Sequence, residues 1–404
     1  MKKKFPLPLQ IVSALVLAVI LGLVFPLLAD YTSWMGTIFL RALKMIVAPL
    51  VLTSLICGIG RLQGGKDFGR LGIKTLSWYV FTTLIAVLTG LFLVNIIKPG
   101  SGASLGLTVP VNELALSSSS LPDNLIRIVP DNIFKALAET DMLAIIFIAM
   151  VFGYFISSLD LKYRLTLDSF FVSANELIMK VTGFIIKFSP FGIFGIVIRI
   201  VADQQNFHEL VYRLGLYMLV VISGLVIHGM ILLPMILRIV GKISPVKHAK
   251  AVLTPLLTAF STSSSNATLP LTIAAMEDNA GVSVKLSSFT LPLGATINMN
   301  GTALYEIVAA LFIAQAYGIE LTITQQIITV LTALLASIGA AGIPMAGLVM
   351  MGIVLSAVGL PLEGVGLILA VDRILDMFRT AINVWGDTVV CAIVARSEGE
   401  KIYQ

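Results

Sequence analysis

The chain is 404 residues long, 57% hydrophobic and only 12% charged, with a formal net charge of +5. An ordinary soluble domain is about 25% charged, so this composition excludes one, and its apolar stretches approach or exceed the ~20 residues that cross a bilayer as a helix. The alternating segments of about ten residues that build a membrane β-barrel are missing from the sequence, which leaves an all-α polytopic membrane protein.

The N-terminal Met-Lys-Lys-Lys has the charged start of a signal peptide. No convincing small-residue cleavage site follows it, and residues 9–28 are long enough to span, so they read as a retained helix. A second span covers 35–59, and Arg61, Lys66, Arg70 and Lys74 fill the loop after it. A third span covers 75–97. The stretch 99–131, rich in Gly, Ser and Pro, reads as a long polar loop. Further spans cover 142–158, 177–201 and 212–240, with Lys162 and Arg164, then Arg238, Lys242, Lys247 and Lys250, on alternate turns. Basic loops on every second turn are the positive-inside pattern. They place the N-terminus in the cytoplasm and explain the net charge more simply than a nucleic-acid or lipid-binding patch. Cys57 and Cys391 both lie in apolar segments and offer neither a disulfide framework nor a metal site.

After His248 the character changes, and a boundary falls near 242–250. Apolar segments now carry Ser, Thr, Asn, Gly and Pro at their centres. Two small-residue stretches, STSSSNATLP at 261–270 and SIGAAGIPMAG at 337–347, each sit between short apolar arms. Each is followed at nearly the same distance by a helix with buried polar groups, around Asn298 and around Asp376. Paired interrupted segments at matching places are a sequence pointer to a transporter binding site. Two kinked helices packed through small residues are the plainer alternative.

In the stretch SFTLPLGATINMNGTALYE, 288–306, Gly294, Thr296, Asn298, Asn300, Gly301 and Thr302 interrupt a helix in apolar surroundings, and Glu306 follows. In the last span, at 100° per residue, Asp372, Asp376, Arg379, Thr380, Asn383 and Asp387 share a stripe about 100° wide. Ionisable groups at membrane depth cost a few kcal/mol each, so one such face implies a watery or ligand-filled cavity. A salt-bridged seam would absorb Asp376 and Arg379 but not the rest. Arg379 presents a planar fork suited to a carboxylate. Asp376, one turn away, suits an ammonium. A ligand bridging them is an acidic amino acid, and the broken-helix tip near Ser264 and Ser265 offers N–H groups to its α-carboxylate. Serine nucleophile chemistry is disfavoured. There is no Gly-x-Ser-x-Gly elbow, and His208, His228 and His248 lie outside the polar tracts.

With these residues in hand, the chain resembles the dicarboxylate/amino acid:cation symporter family, which contains the glutamate transporters. TSSSNATLP, NMNGT, SIGAAGIPMAG and DRILDMFRTAINVWGD carry the resemblance, in order, and it covers essentially the whole chain. It implies eight transmembrane helices plus two re-entrant helical hairpins in a homotrimer, with an elevator fold. The scaffold would comprise 1–70 and 99–205. The transport domain would comprise 71–98 and 206–404, which moves the third and sixth spans to the side of the second half.

By motif position the resemblance implies a substrate site. Arg379, Thr302 and Gly347 would hold the side-chain carboxylate. Asp376 and Thr380, with carbonyls of Ser263 and Ile343, would hold the amine, and Ser265 and Asn383 the α-carboxylate. One sodium site would use Gly294, Asn298, Asn383 and Asp387, and a second Thr296, Ser337, Ile338 and Ala340. A third would use Tyr79, Thr82, Thr83, Asn298 and Asn300. Relatives with that third site carry aspartate where Asn300 stands, so it reads as disabled. An arginine usual at the inner tip or just after Asp376 is replaced by Ser263 and Met377. Arg373 either substitutes for it or neutralises Asp372.

A glutamate at position 306 is the proposed proton carrier of proton-coupled members. A carboxylate held away from water is cheaper to keep neutral than charged; the alternative is a static bridge to Arg373 or Arg379. The sequence thus predicts an acidic amino acid symporter of the inner (cytoplasmic) membrane. It would couple to H+, with Na+ weakened or absent, and have no cofactor, no nucleic-acid partner and no enzymatic activity. Both termini would be cytoplasmic. A sodium-coupled or C4-dicarboxylate symporter and an anion-conducting channel remain as alternatives.

Overall fold

The computed structural model describes residues 7–60, 65–102, 129–139, 141–203, 207–339 and 346–403, and among them there is no strand. Helix α1 (Leu7–Val24) stops earlier than the apolar run suggests, because Pro26 disfavours helix at the residue before it, and α2 (Leu28–Gly60) begins at once. α3 (Gly65–Ile97) starts ten residues before the expected span, so Lys66, Arg70 and Lys74 belong to a helix rather than a loop. Arg61 and most of the long polar segment, 103–128, lie outside the described residues.

The short α4 (Ile133–Ala138) is capped by Asn132, whose side chain accepts N–H bonds from Phe134 and Lys135. α5 (Met142–Ser158) matches its expected span. The single span expected over 177–201 is instead two helices, α6 (Leu161–Lys187) and α7 (Ser189–Ala202), separated at Phe188. Pro190 causes the break. It lacks the N–H that a continuous helix needs and sits comfortably only in a first turn.

The next rod runs from α8 (Phe207–Ile227) through a π turn (His228–Leu232) into α9 (Leu233–Ile239). Pro234, at the start of α9, withholds the N–H of the regular pattern there. Then come α10 (Pro245–Ala251), α11 (Leu253–Thr262) and α12 (Ser265–Ala274). The last two form a hairpin whose arms pack on each other. Each arm has 10 residues, so it reaches about 15 Å, half of the ~30 Å hydrocarbon thickness. The chain reverses at Ser263, which holds the left-handed region at φ 51°. Such a conformation is uncommon without glycine.

After a second π turn (Ala275–Asn279), α13 (Val284–Ile297) and α14 (Asn300–Ala316) make one interrupted rod, broken at Asn298 and Met299 (ψ 82° and 60°). α15 (Ile323–Gly339), α16 (Ala346–Ala357), a 3-10 turn (Leu362–Gly364) and α17 (Val365–Ser397) complete the chain.

Two groupings follow from the packing. α1 and α2 pack on α7, and α2 also packs on α5 and α6. α14 lies at the centre of the other elements, against α3, α8, α15, α16 and α17; all of it but Gln315 is buried. α17 also packs on α11 and α13. Six of the described segments are long and apolar enough to cross a membrane. Their outward faces, and that of α1, carry exposed Leu17, Ile20, Ile38, Phe92, Phe170 and Leu219, as suits a lipid surround.

Candidate functional site

The polar stripe on α17 is buried as a unit. Asp372, Asp376, Arg379, Thr380, Asn383 and Asp387 are all nearly inaccessible. Arg379 Nη2 pairs with Asp376 Oδ1 at 2.9 Å and with Asp372 Oδ1 at 3.1 Å. Its guanidinium stacks on the Tyr305 ring, 3.8 Å from the centroid. The other two guanidinium nitrogens, Nε and Nη1, have no hydrogen-bond partner among the described residues. Buried donors are ordinarily satisfied, so these unpaired donors mark a place for an acceptor. Gly347 is tight against them, because a Cβ built there would come within 2.7 Å of Nη1. Thr380 donates to the Asp376 carbonyl at 2.8 Å.

The break between α13 and α14 meets this stripe. Asn383 Oδ1 accepts the N–H of Gly301 at 2.8 Å, and Asn383 Nδ2 donates to Thr302 Oγ1 at 3.1 Å. The start of α14 and the middle of α17 are therefore pinned together around Arg379. α11 is held to α17 by Phe260 edge-on to Phe378 at 5.1 Å. That contact sits beside the tip carrying Ser263 and Ser265, both buried; Ser263 Oγ has no partner.

Further along α17, Asp387 Oδ1 accepts from Asn298 Nδ2 at 2.8 Å. A Cβ on Gly294 would sit 2.6 Å from that same oxygen. Thr82 and Thr83 on α3 approach Asn298 Oδ1 at 3.4 and 3.5 Å, and Thr83 donates to Asn300 Oδ1 at 2.6 Å. The Tyr79 hydroxyl donates to the Thr290 carbonyl at 2.8 Å. Residues from three separate stretches of sequence thus form one oxygen-rich knot. Thr296 and Ser337 instead turn their hydroxyls to their own helices, at Leu293 and Leu334, and Ile338 is half-buried. Ala340 and Ile343 lie outside the described residues.

Glu306 is fully buried, and neither carboxylate oxygen has a hydrogen-bond partner. It forms no ion pair with Arg373 or Arg379, so the static bridge considered from sequence is not made among the described residues. Arg373 reaches Asp376 Oδ2 at 3.4 Å, whereas Asp372 is held by Arg379. Sequence reading passed over Tyr305 and its neighbours. Tyr217 stacks on Phe312 at 4.7 Å and lies 6.5 Å from Tyr305, making an aromatic wall behind Arg379. The signal was available, since Tyr305 follows Thr302 by three residues and so shares its helix face.

Comparisons with known proteins bear on this arrangement. The sodium:dicarboxylate symporter family matches residues 7–397. The chain is 36% identical to the proton/glutamate-aspartate symporter of Escherichia coli K12, over 98% of its own length and 93% of that protein. It is 36% identical to the proton/sodium-glutamate symport protein of Geobacillus stearothermophilus, over 98% and 96% respectively. It is 37% identical to human excitatory amino acid transporter 3, over 93% and 80%.

Proposed function

The chain belongs to the sodium:dicarboxylate symporter family, a family of transporters rather than enzymes, and on that premise we propose that it is a secondary active symporter of L-glutamate or L-aspartate. The observation that carries this reading is the buried Arg379, whose Nε and Nη1 donors have no partner among the described residues, tight against Gly347 and one turn from Asp376. An unpaired guanidinium N–H binds a carboxylate through a charge-assisted hydrogen bond, and a carboxylate one turn away binds an ammonium. Asn383 and the Ser263–Ser265 tip supply polar groups for the remaining α-carboxylate. The names of the three relatives agree with this substrate class.

The same reading assigns coupling to protons through Glu306, with sodium coupling weakened. Glu306 is enclosed, and its carboxylate has no hydrogen-bond partner among the described residues. Asn300 offers the third sodium cluster an oxygen but no charge, and a buried cation needs nearby negative charge to offset lost hydration. Asp387 keeps a carboxylate at the first cluster, so a residual sodium effect is compatible with it. The Geobacillus relative, named for both ions, keeps the sodium-coupled alternative in view.

Eight spans and two re-entrant hairpins in a homotrimer complete the proposal. The protein would sit in the cytoplasmic membrane with both termini inside. The scaffold is 1–70 with 99–205, and the mobile transport domain is 71–98 with 206–404. The packing of α1, α2, α5, α6 and α7 with one another, against that of α3, α8, α15, α16 and α17 on α14 and of α11–α13 on α17, supports the division. The test is labelled glutamate uptake into liposomes with proton and sodium gradients imposed separately. Uptake driven by protons without sodium is expected. Strict sodium dependence with no response to pH would overturn the coupling, and no glutamate uptake under any gradient would overturn the substrate.

A further inference from the structure

Asp376, the group proposed to take the substrate amine, carries a cation on each oxygen. Arg379 Nη2 holds Oδ1 at 2.9 Å, and Arg373 Nη1 faces Oδ2 at 3.4 Å. The two arginines are not equivalent. Arg379 is 1% exposed, shares its Nη2 with Asp372 and stacks on Tyr305. Arg373 is 19% exposed and makes one long contact at the margin of a hydrogen bond. Arg373 thus meets a buried carboxylate from a partly exposed position, through a contact longer than the 2.9 Å bond made by Arg379. Asp372 and Asp376 with Arg373 and Arg379 form a local group balanced in charge.

We propose that Arg373 is the exchangeable counter-ion of Asp376, a positioning residue that the substrate's ammonium displaces from Oδ2 on binding. It thereby sets how strongly this carrier distinguishes amino acids from dicarboxylates that lack an amine. This rests on the acidic amino acid reading above. When the site is empty, Arg373 compensates Asp376 and lowers the cost of holding a carboxylate in the membrane. When the site fills, the ammonium takes Oδ2, and the guanidinium swings towards its exposed side. A ligand without an amine leaves Arg373 where it is, so the two ligand types respond to Arg373 in opposite ways. The ammonium competes with and is repelled by Arg373, whereas a bare dicarboxylate gains from its positive charge.

The experiment uses the full-length protein in liposomes. Unlabelled L-glutamate and succinate each compete with labelled L-glutamate exchange, for the natural protein and for Arg373→Ala, Arg373→Gln and Arg373→Lys. Removing the charge is expected to tighten glutamate binding roughly three- to tenfold. Succinate should be unchanged or weaker, so the glutamate-to-succinate ratio rises. Lys should restore the natural ratio. Net uptake into substrate-free liposomes should also fall relative to exchange in the Ala and Gln variants, because the empty carrier then returns with Asp376 less well compensated. A merely structural role shifts both ligands and both transport modes together, and that result would overturn the proposal. If Ala fails to fold, the Gln variant decides. Absence of glutamate uptake by the natural protein would sink the transport reading and this proposal with it. Normal uptake with an unchanged ratio in the variants sinks the Arg373 proposal alone.

Discussion

At the scale of single residues, Arg379 and Glu306 are both buried without full satisfaction, and they predict different losses. Arg379→Ala removes the buried cation with unpaired donors and leaves Asp372 without its ion-pair partner. Acidic amino acid uptake should fall about 100-fold or more, the scale expected when one partner of a buried charge pair is truncated. Binding of a neutral amino acid by the variant, read by ligand-induced thermal shift, separates lost recognition from lost folding. Unchanged glutamate transport would count against the site. Glu306→Gln keeps the shape and removes the proton. Uptake should become insensitive to an inward proton gradient between pH 5 and 8. His248 does not confuse that experiment. Its burial between Tyr403 and Thr388 pushes its pKa down to about 3, so it stays neutral throughout the window. Asn300→Asp should add sodium sensitivity by placing a charge beside Thr83; no change would mean that Asn300 is not what weakens that cluster.

At the scale of elements, the hairpin of α11 and α12 is the feature with the clearest consequence. Its arms are too short to span, and its reversal rests on one left-handed serine. Ser264 caps α12 by accepting the Ala267 N–H at 3.2 Å, and replacing such a cap costs about 1 kcal/mol. Near the tip, Phe260 of α11 packs edge-on against Phe378 of α17. A single cysteine at Ser265, in a background without Cys57 and Cys391, should be labelled from the cytoplasmic side and protected by L-glutamate. Labelling that ignores substrate would argue that the hairpin does not close over the site. The break at Asn298 and Met299 acts differently. It is fastened by three side chains from two helices, Asp387 and Asn383 of α17 and Thr83 of α3, which suits a fixed platform rather than a moving one.

At the scale of the whole molecule, the C-terminal tail ties distant parts together. Glu398 bonds Arg70 and Lys74 of α3, each at 2.6 Å, and Glu400 accepts the Ser283 N–H at 3.0 Å. The Tyr403 N–H donates to the Ala280 carbonyl at 2.9 Å, and its hydroxyl pairs with His248. The Lys74 bond, aided by the charges of Lys74, Arg70 and Lys285, holds the Glu398 pKa below the usual carboxylate range. A depressed acid contributes stability above its unfolded pKa of about 4.3 and loses it as pH falls through the folded value. Thermal unfolding in detergent should therefore show a small loss on acidification below about pH 4.3. Glu398→Gln should remove this part of the loss, and an identical acid profile in the variant would show that the clasp is energetically silent.

The sequence by itself determined the membrane class, most of the described helices, the small-residue interruption at 261–270 and the polar stripe on α17. These signals are local: apolar length, the 3.6-residue period, and polar residues too costly in lipid to be accidental. It also predicted the chemistry of Arg379 and Asp376 from charge and one turn of separation. It misread the start of α3, because a basic helix end resembles a basic loop, and it joined α6 to α7 because hydropathy alone does not register what Pro190 does to a backbone. The tertiary structure alone decided which arginine holds which aspartate, that Glu306 stands unpaired, and that Tyr305 lies under Arg379. Those facts depend on how α3, α14 and α17 are set against one another. Residues such as Thr83 and Asn300, or Asn298 and Asp387, are far apart in the chain and meet only when the helices pack, so no periodicity within one helix encodes their contact.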